Sequence, residues 1–94
     1  MLISTTTAFR SALRDLRKCP EWVVDLETTG LRMFHADRLC GVAVLGVSKS
    51  GEVAAGPFYF TFRHAETRNL PPVALAELIR ELSDPSRKYV GFNY

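Results

Sequence analysis

The amino-acid sequence predicts a single α/β domain of residues 1–94. Three observations carry this prediction. The length of 94 residues suits one domain. Segments with apolar residues at helical spacing alternate with short segments rich in β-branched and aromatic residues. A content of 47% hydrophobic and 23% charged residues is typical of a folded globular chain. The predicted order is α-β-β-β-α-β, in which three antiparallel strands are followed by a helix and a parallel strand.

The first predicted element is a helix that precedes the first strand. Thr6 or Thr7 is expected to cap its N-terminus, and Cys19 followed by Pro20 is expected to end it. Its apolar residues recur at i, i+3, i+4 and i+7 and therefore share one face. These residues are Phe9, Ala12, Leu13 and Leu16.

Three strands are predicted next, over residues 21–27, 38–47 and 52–62. The sequence from Ser48 to Gly51 suits a hairpin turn between the second and third strands. Pro57 has no backbone N–H, so the third strand is expected to lie at a sheet edge or to carry a bulge there. Alternate residues of that strand form an apolar face that is predicted to enter the core; they are Phe58, Phe60 and Phe62.

A second helix is predicted over residues 72–82, because prolines 71 and 72 suit a helix start and Ser83-Asp84-Pro85 suits a stop. Its apolar residues again follow helical spacing, at Leu75, Leu78, Ile79 and Leu82. The last predicted strand covers residues 88–92. A right-handed crossover through the second helix would place it beside the first strand and parallel to it.

Composition and charge narrow the class of protein. A formal charge of +2 is too small to indicate nucleic-acid binding by itself, and two cysteines are too few for a disulfide scaffold. The longest apolar run, residues 39–47, is too short to span a bilayer. We therefore expect no membrane partner and a cytoplasmic location. An organelle is the alternative, because residues 1–18 are rich in Ser, Thr and Arg with a single acid.

Two carboxylates lie two residues apart on the first predicted strand. Asp25 and Glu27 therefore leave the same face, with Cα atoms roughly 6.5–7 Å apart. The other face, formed by Trp22, Val24 and Leu26, is expected to lie under a helix. A divalent cation relieves the repulsion between two such carboxylates, and their hard oxygens suit Mg²⁺ or Mn²⁺. The alternative is a pair of solvated acids at the end of a strand.

The sequence around these acids resembles a known motif. The heptapeptide DLETTGL, residues 25–31, resembles the first motif of the DEDD family of 3′–5′ exonucleases, which lies on the first strand of a ribonuclease-H-like fold. The sequence VGFNY, residues 90–94, resembles the start of that family's second motif. Only a hairpin and one helix separate the two motifs. This layout resembles the proofreading exonuclease domain of family A DNA polymerases, and the helix before the first strand is similar too.

The resemblance implies a role for five residues. Asp25 would bridge two metal ions, Mg²⁺ or Mn²⁺, and Glu27 would bind one of them. Thr28 would contact the terminal nucleotide, Leu31 would form an apolar wedge against the last bases, and Asn93 would help to hold the terminal nucleotide. The alternative is that residues 28–30 form an ordinary turn and that Leu31 is a core residue.

The function that the resemblance implies is metal-dependent hydrolysis of phosphodiester bonds at the 3′ end of single-stranded DNA. A polymerase domain could follow in the same longer chain, and no small-molecule cofactor is implied. One alternative is an RNA-trimming exonuclease of the same superfamily, and another is a noncatalytic nucleic-acid-binding remnant.

The sequence holds two of the family's four metal-binding acids and so resembles the N-terminal part of such a domain. Glu77 and Glu81 are expected on the exposed side of the second helix, where they cannot replace the others. We therefore expect residues 1–94 alone to be catalytically inert.

Overall fold

The computed structural model describes residues 1–28, 39–63 and 68–91. Of Thr28 and Leu39 it describes the backbone only. The described elements are β1 (Leu2–Ile3), α1 (Thr6–Arg17), β2 (Glu21–Thr28), β3 (Leu39–Val47), β4 (Val53–Thr61), α2 (Pro72–Leu82) and β5 (Lys88–Gly91). The predicted α/β class and the predicted elements are confirmed. β1 was not predicted, because a strand of two residues is too short to show any periodicity.

The five strands form one mixed sheet in the order β1-β4-β3-β2-β5. β2 pairs with β3 and β3 pairs with β4, both antiparallel. β5 lies on the other side of β2 and runs parallel to it, and β1 runs parallel to β4. The predicted arrangement of three antiparallel strands and a parallel return strand is therefore confirmed. It makes β2 an interior strand with β3 and β5 as its neighbours.

Both helices pack on the same face of this sheet. Phe9 of α1 meets Phe60 of β4 edge to face, with ring centroids 5.6 Å apart. The indole N–H of Trp22 donates a hydrogen bond of 2.8 Å to the carbonyl oxygen of Leu16, which joins β2 to the end of α1. From α2, Leu78 enters the same core and is completely buried. The core thus lies between the two helices and one face of the sheet.

Ion pairs join the two helices side by side. Arg10 lies 3.3 Å from Glu77, and Arg17 lies 2.7 Å from Glu81. The side chains of Glu77 and Glu81 are only 20% and 18% exposed. The expectation that they lie on the exposed side of the helix was wrong, because α1 covers that side of α2. Ile79, in contrast, remains 52% exposed although it follows the apolar spacing.

The start of α1 differs by one residue from the prediction. Thr5 is the N-cap, and its side-chain oxygen accepts a hydrogen bond of 3.2 Å from the backbone N–H of Ala8. Thr6 and Thr7 lie inside the first turn instead. The three consecutive threonines carry similar capping potential, so composition alone does not distinguish among them.

The connection between β3 and β4 is the predicted hairpin. Ser48 and Gly51 form its turn, and the φ of +88° at Gly51 explains why glycine stands there. Further along β4, Val44 pairs with Phe58 while Gly46 pairs with Ala55. Two residues of β4 thus oppose one residue of β3 around Pro57, which is a bulge. The bulge alternative is therefore correct, and β4 is not an edge strand because β1 pairs with it.

Candidate metal site

The two faces of β2 have opposite surroundings. Trp22 is completely buried and Val24 packs against the core, whereas Asp25 and Glu27 point to the other face and are exposed. The prediction that the two carboxylates share the face away from the helices is confirmed. Leu26, which was expected to lie under a helix, is 48% exposed. The described helices cover the first half of β2 and not its end.

The residues that pair with the two carboxylates across the sheet are small. Asp25 pairs with Ala43, and Glu27 pairs with Gly41, both on β3. Ala43 and Gly41 themselves leave the space above β3 open, and the ring of Tyr59 occupies the part of that space above Gly41. The site lies at the C-terminal end of an interior strand. Its carboxylates are exposed on one face, and on the other face the core packs against β2 as far as Val24.

The chemistry of this donor set fits a hard divalent cation. Two carboxylates offer up to four oxygens, which are the ligands that Mg²⁺ and Mn²⁺ prefer. Because both residues are exposed, binding a cation there needs little desolvation of the acids. Over residues 1–28, 39–63 and 68–91, no group of three or more His, Cys, Asp or Glu side chains is placed to hold a metal. On its own, the pair could therefore supply only part of the coordination shell of a cation.

The remaining predicted site residues are described only in part. The backbone of Thr28 pairs with Leu39, and the register shifts between Glu27 and Thr28, so the strand becomes irregular directly after the carboxylates. Leu31 and Asn93 lie outside the described residues. β5 is described as far as Gly91, which pairs with Val24.

One residue of this face was not assigned a role from the sequence. Tyr59 of β4 pairs with Ala43, the same residue that Asp25 pairs with from the other side. Tyr59, Ala43 and Asp25 thus form one row across three strands. The alternation of β4 places Tyr59 opposite to Phe58 and Phe60, but only the register of the sheet aligns it with Asp25.

A cavity of about 770 Å³ lies at the other end of the sheet. It is lined by the end of α1, the hairpin turn between β3 and β4, Ala54 and the turn before β5. Cys19 lies in its wall, and burial raises the pKa of its thiol, which argues against a reactive thiolate. The arginines of the wall, Arg17 and Arg87, are already paired with Glu81. The cavity is therefore not part of the carboxylate site.

Two comparisons with known proteins were negative. No protein-family model matches the sequence, and no curated protein matches it. In the part of the chain that the structure describes, neither helix is long and apolar enough to cross a membrane. The structure itself defines a mixed α/β sheet with both helices on one face and an exposed carboxylate pair on the other.

Proposed function

We propose that this chain is the N-terminal part of a metal-dependent 3′–5′ exonuclease domain of the DEDD class, with a ribonuclease-H-like fold. The observation that carries the proposal is the position of Asp25 and Glu27. They lie together on the open face at the C-terminal end of an interior strand, between an antiparallel hairpin and a parallel return strand. The motif resemblance over residues 25–31 supports the same assignment.

The two carboxylates would hold the metal ions. A pair of bound Mg²⁺ or Mn²⁺ ions supplies a hydroxide nucleophile and stabilises the leaving oxygen of the phosphodiester. Asp25 and Glu27 would contribute two negative charges that fix cations on the sheet surface, and the pairing of β2 with β3 holds their backbone positions. In this proposal, further acidic ligands complete the site, because two carboxylates do not fill the coordination sites of two metal ions.

The proposed substrate is the 3′ end of single-stranded DNA. Thr28 directly follows Glu27, and Leu31 comes three residues later in the sequence. In this proposal they contact the terminal nucleotide and its base. Asn93, two residues beyond the described end of β5, helps to hold the same nucleotide. A cytoplasmic location and a polymerase domain as partner belong to the same proposal.

The test of this function is a nuclease assay on the full-length protein. A 5′-labelled single-stranded DNA oligonucleotide should shorten stepwise from its 3′ end with Mg²⁺ and remain intact with EDTA. Asp25→Asn should lower the rate by roughly a hundredfold or more, because it removes a charged metal ligand. Glu21→Gln is the matched control and should leave the rate unchanged, since Glu21 lies on the same face at the other end of β2.

The assay also separates the alternative functions. An RNA oligonucleotide of the same sequence that is shortened faster than DNA would indicate an RNA-trimming enzyme. If neither is shortened but DNA binds equally to the wild type and to Asp25→Asn, a noncatalytic binding module is indicated and the exonuclease proposal is wrong.

A further inference from the structure

The side chain of Tyr59 extends along the sheet from the level of Asp25 towards the level of Glu27. Its backbone is aligned with Asp25 across Ala43, but its ring lies over Gly41, which pairs with Glu27. A Cβ added to Gly41 would lie 2.5 Å from the Cζ of the tyrosine ring. The hydroxyl group thus lies one strand away from Glu27, on the face that carries the carboxylates.

Gly41 makes this position of the ring possible. A separation of 2.5 Å is far below a normal carbon–carbon contact, so any side chain at position 41 would displace the ring or the backbone. The hydroxyl oxygen is buried although it lies on the open face. The ring is thus fixed in one orientation, with its hydroxyl group beside the paired residues Gly41 and Glu27.

We propose that Tyr59 is a positioning residue of the carboxylate site, whose hydroxyl donates a hydrogen bond to the Glu27 carboxylate when a divalent cation is bound. This inference rests on the proposed function, because it assumes that Asp25 and Glu27 bind a cation. It adds a third side chain to the site and gives a reason for glycine at position 41.

The hydroxyl of Tyr59 is expected to strengthen cation binding through its hydrogen bond to Glu27. A neutral hydroxyl adds no ligand charge, but it holds one rotamer of a flexible glutamate and therefore lowers the entropic cost of binding the cation. Removal of a hydrogen bond to a metal ligand typically weakens metal binding by roughly 10–100-fold. The rigid ring on Gly41 keeps the hydroxyl in place without a further cost on binding.

The test compares Mn²⁺ affinity, measured from the electron paramagnetic resonance signal of free Mn²⁺, between the wild type and Tyr59→Phe. Tyr59→Phe keeps the ring on Gly41 and removes only the hydroxyl; we expect about tenfold weaker binding with unchanged urea unfolding. Tyr89→Phe is the matched control. The Tyr89 hydroxyl donates to the Glu81 carbonyl on the helix-covered face, so its loss should lower stability and leave Mn²⁺ affinity unchanged.

A spectroscopic readout separates positioning from a structural role. Mg²⁺ should shift the ¹³Cζ resonance of Tyr59, which reports on the hydroxyl hydrogen bond, and should leave that of Tyr89 in place. Equal Mn²⁺ affinity of the wild type and Tyr59→Phe would overturn the inference while leaving the proposed function intact. A wild type that does not bind Mn²⁺ would overturn both. If Gly41→Ala weakens binding and Tyr59→Phe does not, the ring alone is responsible and the hydroxyl role is wrong.

Discussion

The two faces of the sheet differ in what their residues do. On the covered face, Trp22 and Phe60 are completely buried beneath α1 and α2. On the open face, Asp25 and Glu27 are exposed, and they follow the core residues Trp22 and Val24 in the same strand. One strand therefore anchors the fold through its first half and presents charge near its C-terminal end.

This difference shows how a small domain can keep a charged site rigid. The carboxylates contribute little to folding, because they lie in solvent. Their backbone is held by the pairing of β2 with β3 and by the buried residue Trp22 earlier in the same strand. Changes on the covered face should therefore alter stability, whereas changes on the open face should alter cation binding. The following substitutions test that division, from the largest expected effect to the smallest.

The largest effect is expected for Trp22→Ala. The change removes a completely buried indole, its hydrogen bond to the Leu16 carbonyl and its contact with the Arg87 guanidinium, 4.3 Å from the ring centroid. The free energy of unfolding should fall by about 3–5 kcal/mol in urea titrations. Asp25→Asn should change it by less than about 0.5 kcal/mol. Similar losses for the two substitutions would contradict the division between the faces.

The second effect concerns a glycine of β3 on the covered face. A Cβ added to Gly46 would lie 2.5 Å from the Sγ of Cys19, so Gly46→Ala should destabilise the fold by about 1–3 kcal/mol. In a Cys19→Ala background, where Sγ is absent, most of this loss should disappear. An equal loss in both backgrounds, measured by urea unfolding, would show that the clash is not the cause.

A smaller effect is expected at the start of α1. Thr5→Ala should lower stability by about 1 kcal/mol, because it removes the side-chain acceptor for the Ala8 backbone N–H. Thr6→Ala and Thr7→Ala serve as matched controls inside the first turn and should cost less. Thermal unfolding of the three variants decides which threonine is the cap.

The smallest effect concerns the turn before β5. The backbone N–H and the hydroxyl of Ser86 donate hydrogen bonds of 2.9 and 2.8 Å to Asp84, and they hold the pKa of that carboxyl below its usual value. A carboxyl pKa that is lower in the folded than in the unfolded state stabilises the fold at pH values above the unfolded-state pKa. This stabilisation is lost as the pH falls through the folded-state pKa. In Asp84→Asn, the free energy of unfolding should therefore decrease less at acidic pH than in the wild type. If the decrease is unchanged, other carboxylates cause it.

The sequence predicted those elements whose local pattern agrees with the fold. α2 was predicted at its observed bounds, because Pro72 and Ser83 mark both ends. The carboxylate pair was predicted because side chains alternate along any strand, and this does not depend on what the strand pairs with. The cap at Thr5 was missed because neighbouring threonines are chemically equivalent.

Features that depend on packing between distant segments could not be predicted. The pairing of α1 with α2, which buries most of the side chains of Glu77 and Glu81, joins residues far apart in the sequence. The contact of Tyr59 with Gly41 depends on the register between β3 and β4, which the bulge near Pro57 shifts. The alternation of side chains along a strand predicts which face of the sheet each residue lies on. It does not predict which residue of the next strand lies beside it.

The measurement that tests the central claim most directly is paramagnetic broadening of backbone amide signals by Mn²⁺. We expect substoichiometric Mn²⁺ to broaden the amide signals of Asp25, Leu26 and Glu27 before any others. The double variant Asp25→Asn/Glu27→Gln should abolish this broadening. Glu21→Gln should leave the pattern unchanged. Broadening that spares residues 24–28 while affecting other acids, such as Glu77 and Glu81, would contradict the account.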